Sequence, residues 1–197
     1  MITVENDFYY INPHIEQILL NDGTILDRKT INEQASLTRQ TNSNDALTKS
    51  DGTNRSSGYD GEDTIKIGHR ESNNTYFNQR DGSNRIQDTD YRDDPNTNHP
   101  VFGENMLNLL FEKQGRNMRV SMANIDDRST IEDWNFGKKQ IETCYTSDNK
   151  SLHSYRVDLL IQSMAAYSQE NAMSWNQSVN EKNEEVQRIY EQFWTGE

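Results

Sequence analysis

The chain has 197 residues with 32 Asp and Glu against 20 Lys and Arg, a formal charge of -12. Only 37 residues are Leu, Ile, Val or Phe, while 23 are Asn. That apolar poverty argues against an enzyme with a deep pocket, and no apolar run approaches the ~18 residues that a bilayer-spanning helix requires. So acidic a surface repels duplex phosphates, so nucleic-acid binding through a basic face is disfavoured.

Apolar residues are unevenly spread. Residues 1–39 hold 12 of the 37 and residues 101–197 hold 20, leaving five for residues 40–100: Leu47, Ile65, Ile67, Phe77 and Ile86. The N-terminus has no basic stretch followed by an apolar one, so no secretory signal is expected. Asn12-Pro13 reads as a helix start, since Asn caps and Pro tolerates the first helical position. Ile15, Ile18 and Leu19 would form its face and Gly23 its end. A second short helix is expected after Thr30, carrying Ile31, Ala35 and Leu37.

The middle zone carries the turn dipeptides Asp51-Gly52, Asp60-Gly61 and Asp81-Gly82, with short strands expected at Thr64–Ile67 and Thr75–Asn78. Five large apolar side chains cannot by themselves offset an ordering entropy of roughly 1–2 kcal/mol per residue. The zone is therefore expected to be extended and held by a neighbouring copy or a partner.

In the third zone Phe102, Met106, Leu109, Leu110 and Lys113 fit a helical face ended by Gly115. Met118, Val120 and Met122 alternate with polar neighbours, the period of a strand. Gln140–Thr146 alternates too and would pair with it, with a helical turn capped by Thr130 in between. From Asp148 to Trp194 one long helix is expected, with a kink near Gln169–Asn171. Its distal stripe of Trp175, Val179, Val186, Tyr190 and Phe193, with Trp194 beside it, reads as an oligomer interface.

The fold class expected is α+β: helical ends with a long C-terminal helix, a short antiparallel strand pair and a long polar insertion. Residues 1–39 and 101–197 would form one domain around the inserted residues 40–100.

Chemistry is sparse. Cys144 is the one cysteine and reads as a small half-buried side chain. The histidines His14, His69, His99 and His153 have no metal-ligand spacing. His69 with Glu71 lacks an orienting partner for acid–base work. Asp88-x-Asp90 followed by Asp93-Asp94 fails the EF-hand pattern, and Asn124-Ile-Asp126-Asp127 reads likewise as a solvated acidic turn. No catalytic, cofactor or metal site is assembled.

The layout resembles the collar and tail-tube adaptor proteins of tailed bacteriophages. The matching features are Asn12-Pro13-His-Ile-Glu-Gln-Ile, the polar tract Thr41–Pro100 and the helix Asp148–Trp194. The resemblance implies a structural virion component, a homo-oligomeric ring bracing a channel through which DNA passes without adhering. It implies no enzyme, no cofactor and no membrane. The alternative reading is a small acidic module that occupies a basic protein surface.

Overall fold

The structure, a computed structural model, describes residues 17–27, 30, 42–48, 55–57, 60–67, 74–88, 99–134, 141, 143–181 and 184–196. Its dominant element is a coil of short strands. Strand β1 (Gln17–Leu19) and β2 (Ile25–Asp27) form a separate antiparallel hairpin. Thereafter successive strands alternate between two sheets: β3 (Ala46–Thr48), β4 (Arg55–Ser57), β5 (Thr64–Ile67), β6 (Asn74–Phe77), β7 (Ser83–Asp88) and β8 (His99–Phe102). Beyond β8 come a 3₁₀ turn (Met106–Asn108), the hairpin β9 (Leu109–Gln114) and β10 (Asn117–Met122), then β11 (Arg128–Ile131) and β12 (Thr143–Thr146). β13 (Lys150–His153) leads into α1 (Ser154–Asn171), α2 (Trp175–Asn180), α3 (Glu184–Phe193) and β14 (Thr195–Gly196).

One six-stranded sheet runs β3-β5-β7-β11-β10-β9, the other β14-β13-β12-β8-β6-β4. The pairs β3/β5, β5/β7 and β7/β11 are all parallel. So are β4/β6, β6/β8 and β8/β12. Each turn of chain therefore lays one strand on each sheet and stacks on the turn before it, which makes this a two-sheet parallel β-solenoid. At one end the antiparallel strands and the helices cover the stack. The expected α+β class with helical ends is corrected accordingly: the described chain is mostly β, and its helices are short and confined to the C-terminal cap.

This arrangement resolves the apparent poverty of residues 40–100. In register, Leu47 meets Ile65, Ile65 meets Ile86, and Ile86 meets Ile131. In the other sheet Phe77 meets Phe102 in register, with ring centroids 5.6 Å apart. All six are buried. A solenoid needs only one or two inward apolar residues per strand, because each packs on its equivalent in the next turn. Burying each such side chain contributes about 1.5–3 kcal/mol. The expected extended polar insertion is thus corrected: in its described parts it is the body of the solenoid.

Other helical expectations are corrected too. Ile18 and Leu19 lie in β1, not on a helix, while residues 12–16 and 31–37 lie outside the described set. The expected helix from Val101 to Lys113 is instead the end of β8, the 3₁₀ turn and most of β9. Its apolar residues are drawn into ladders: Leu109 pairs with Met122 and Phe111 with Val120. β10 itself alternates as its sequence suggests, with Met118, Val120 and Met122 all buried. It pairs with β9 and β11, not with β12, which lies in the other sheet beside β8 and β13. Thr130 and Ile131 belong to β11 rather than capping a helix.

The single long helix from Asp148 is also absent. Residues 147–149 turn between β12 and β13, with Asn149 at φ 55°. α1 ends at Ala172, whose φ of 50° is left-handed. Ser174 then restarts the chain in a capping box, its hydroxyl bonded to the Gln177 N–H and the Gln177 side chain returning to the Ser174 N–H. Both orphan donors of a new helix end are satisfied this way, so the break is stable. α1 buries Val157, Leu160, Met164 and Tyr167, and packs along α3 and against β9 and β13. Among the described residues no helix is long and apolar enough to cross a membrane.

Two positive-φ glycines are required for different reasons, one by close stacking and one by its turn alone. Gly82 has φ 75°, and a Cβ there would lie 2.1 Å from the Gly61 carbonyl oxygen. Gly115, in the β9–β10 turn, has φ 63° with nothing within 4 Å of its Cβ position. Gly115→Ala should cost about 1 kcal/mol of backbone strain alone. Gly82→Ala should cost clearly more than ~2 kcal/mol, because rigid backbone must also move. Urea unfolding of the two variants checks this, and equal losses would contradict the stacked-turn geometry.

Candidate functional site

The tight turns entering β3, β5 and β7 lie along one edge of the solenoid. Ala46 pairs with Thr64 and Thr64 with Arg85, while Ser129 pairs with Asn84. One residue before the first β3/β5 and β5/β7 pairings, the alternation points Asp45, Asp63 and Asn84 inward, and Asn84 stands in line with Ser129. This polar column runs beside the aliphatic column of Leu47, Ile65, Ile86 and Ile131. Asp63 is 1% exposed, Asn84 3% and Ser129 3%.

Side chains of the column tie neighbouring turns together. Asp63 Oδ1 accepts from the Asp45 N–H at 2.8 Å, and Asn84 Oδ1 accepts from the Asp63 N–H at 3.0 Å. Asn84 Nδ2 donates to the Asp81 carbonyl at 3.0 Å. Asn44 Oδ1 accepts from the Glu62 N–H at 3.0 Å. Asp81, 7% exposed, accepts at Oδ2 from the Asn78 N–H at 2.7 Å. The Asp127 carboxylate accepts from the Arg80 N–H, closing the same edge over the turn that follows β10.

Asp63 Oδ2 is the exception. It is buried without a hydrogen-bond partner. Desolvation pushes the Asp63 carboxyl above its usual range; the Asp45 N–H opposes that shift, and the charges of Asp45 and Asp81 add to it. Contrast Glu104, 9% exposed, whose two oxygens are each satisfied, by Gln79 Nε2 at 2.5 Å and Asn108 Nδ2 at 2.8 Å. A buried carboxylate oxygen facing like charges needs either a proton or a cation.

The donors on this edge are all oxygens: carboxylates, Asn amides and backbone carbonyls. That set suits a hard cation with adaptable geometry, calcium above all, and not zinc. Among the described residues no three His, Cys, Asp or Glu side chains are gathered into a ready cage. Amide and carbonyl oxygens would therefore complete any coordination shell.

The residues expected at an oligomer interface lie elsewhere. Val179, Val186, Tyr190 and Trp194 are buried, and Trp175 and Phe193 pack partly buried against the same core. The Tyr190 hydroxyl donates to the Leu109 carbonyl at 2.8 Å and accepts from Trp175 Nε1. The stripe thus fastens the helical cap to the solenoid. Cys144 is fully buried beside Leu152, and burial pushes its thiol up to about 12, which leaves it unreactive at neutral pH. His99 and His153 flank Thr143, bonding its carbonyl at 3.2 Å and its hydroxyl at 3.0 Å. His14, His69, Glu71 and residues 90–94 lie outside the described set. In the Asn124-Ile-Asp126-Asp127 turn, Asn124 takes φ 67°.

Sequence reasoning passed over the Asp63 column, yet a signal was present. Ser43-x-Asp45-x-Leu47, Gly61-x-Asp63-x-Ile65 and Gly82-x-Asn84-x-Ile86 repeat one pattern of small residue, inward polar residue and inward aliphatic. Internal repetition of this kind marks a solenoid. Compared with known proteins, the chain matches no family model and no curated sequence.

Two substitutions separate these roles. Tyr190→Phe strands the Trp175 N–H and the Leu109 carbonyl, and should cost about 1–3 kcal/mol of stability without changing the mass in solution. Asp63→Asn keeps the Oδ1 acceptor and removes the uncompensated charge, so it should stabilise the metal-free chain at pH 7 by about 1–3 kcal/mol. Thermal unfolding in chelator checks the second; a loss of stability in the Asp63→Asn variant would mean that Asp63 is already compensated.

Proposed function

We propose that this chain is a non-catalytic architectural module, a capped β-solenoid that takes up calcium at its acidic turn edge and is stiffened by it. The observation that carries the reading is the buried, unpartnered Asp63 Oδ2, flanked by the charges of Asp45 and Asp81. A divalent cation there would compensate the Asp63 carboxylate in place of a proton. Binding only the folded coil, it would stabilise that coil by mass action.

Other features support a scaffold. The interior is filled by stacked side chains, and the one free thiol is buried and inert. The long projecting helix that suggested a collar ring is divided and folded onto the core. This reading keeps a structural role.

Calcium titration of the chelator-treated full chain tests the proposal by thermal unfolding and calorimetry. The melting temperature should rise with calcium, by about 2.7 kcal/mol of added stability at a hundredfold excess over Kd. Magnesium should do much less, since it demands a stricter octahedral shell. Asp63→Asn should abolish the response. Unchanged melting together with no binding heat would sink the reading.

A further inference from the structure

Outside the β1–β2 hairpin, two large hydrophobic side chains stay exposed among the described residues: Tyr155 at 68% and Leu159 at 51%. Both stand on α1, four residues apart, so they share one face about one turn apart. The opposite face packs on the core through Val157, Leu160, Met164 and Tyr167. Tyr155 is held in place. Its ring stacks on His153, with centroids 5.6 Å apart and planes at 13°, and the Arg156 guanidinium lies over it at 5.6 Å. Arg156 is tied in turn to the Phe193 carbonyl at 3.1 Å. A tyrosine already ordered in this way loses little further freedom when something docks on it. From Leu159 to Gln169 the chain carries no charge, although 26% of all its residues are charged. Along the same face follow Gln162 and Ala166, both exposed. Charges stand toward the two ends of α1: half-buried Arg156 in the first turn, Asp158 paired with Lys113 at 2.6 Å, and exposed Glu170 in the last turn.

Independently of the calcium reading, we propose that this face of α1 pairs with the same face of a second copy of the chain. The two helices run antiparallel about a two-fold axis near Gln162 and Ser163. The order of side chains along α1 selects that occupant. Bulk lies in its first half, with Tyr155 and Leu159, and small exposed residues lie in its second, with Ala165 and Ala166. Turned end for end about the axis, Leu159 of each copy meets Ala166 of the other, and Tyr155 meets Glu170. Large then lies on small twice, which lets the helices close to packing distance. Arg156 of each copy comes beside Glu170 of the other, so opposite charges flank an uncharged centre. A parallel pairing would instead set Glu170 against Glu170, which repels. The patch is self-complementary under the two-fold, so assembly closes at two copies. One helix face is smaller than the ~800 Å² per partner that stable pairs bury, so the dimer is weak, with Kd on the order of 100 µM.

Analytical sedimentation of the full chain, from roughly 10 µM to 1 mM, reads the pairing directly. The apparent mass should rise with concentration from one chain toward two. Leu159→Lys and Ala166→Glu should each weaken the pairing roughly tenfold or more, because each sets a charge against an apolar side chain. Both positions are exposed, so circular dichroism and melting of the dilute variants should match the parent. Mixed in equal amounts, the two variants should pair again. The new amine then meets the new carboxylate across the axis, and the second Leu159–Ala166 contact is unchanged. A parent that stays monomeric through this range overturns the proposal. If that monomer instead sediments with phosphatidylcholine vesicles, the face serves a membrane surface and the proposal is overturned as well. If both variants pair as tightly as the parent, the copies meet through another surface and the proposal falls. Variants that lose pairing and do not recover on mixing disprove the antiparallel register, since only that register brings positions 159 and 166 together.

Discussion

In-register parallel stacking is the constraint on which everything else here depends. Once Ala46 pairs with Thr64 and Thr64 with Arg85, every inward position must meet its own equivalent in the neighbouring turn. Leu on Ile on Ile on Ile makes an interior from very few apolar residues. Gly61 and Gly82 must be small because their turns touch backbone to backbone. The same rule forces Asp45, Asp63 and Asn84 into one line, whatever their charges. Fold and candidate site are therefore one consequence of one register.

The open repetition of strands has to stop somewhere, and the chain stops it with antiparallel structure. β9 and β10 extend one sheet, β13 and β14 the other, and α1 lies against β9 and β13 with α2 and α3 packed on it. Tyr190 joins the two systems, its hydroxyl held between the Trp175 indole and the Leu109 carbonyl. Burial raises its phenol well above the usual range, so it stays a neutral donor. The aromatic stripe on the C-terminal helices is consumed by this closure. It looks like an interface from sequence because it is one, but between two parts of the same chain.

What was legible in the residues was local. Asp60-Gly61 and Asp81-Gly82 mark turns, Thr64–Ile67 is a strand, and Met118, Val120 and Met122 point one way. What was not legible was pairing between distant turns, because parallel neighbours are separated by whole turns of chain and leave no short-range trace. The apolar count of residues 40–100 misled for the same reason: it treats each residue as if it had to find its own core. The long helix misled through absence, since no Pro or Gly interrupts it, yet a left-handed Ala172 and the Ser174–Gln177 capping box suffice to end it. For the site, the signal was the spacing of small, polar and aliphatic residues, which only becomes chemical when the turns are superposed.

Stacking like upon like favours some residues and penalises others. Isoleucine on isoleucine gains contact, and an amide beside a backbone N–H gains a hydrogen bond. Carboxylate beside carboxylate gains nothing in water and is strongly unfavourable when desolvated. A surface acid escapes into solvent, but Asp63 cannot, because the alternation that buries Ile65 and Ile67 buries it too. The chain treats the two ends of the column differently. Toward the cap it replaces the acids with Asn84 and Ser129, which need no counterion. Toward β3 it keeps Asp63, whose Oδ2 is buried without a hydrogen-bond partner. Retaining an acid there, in a column where neutral residues plainly fit, leaves a desolvated charge that a proton or a cation would relieve.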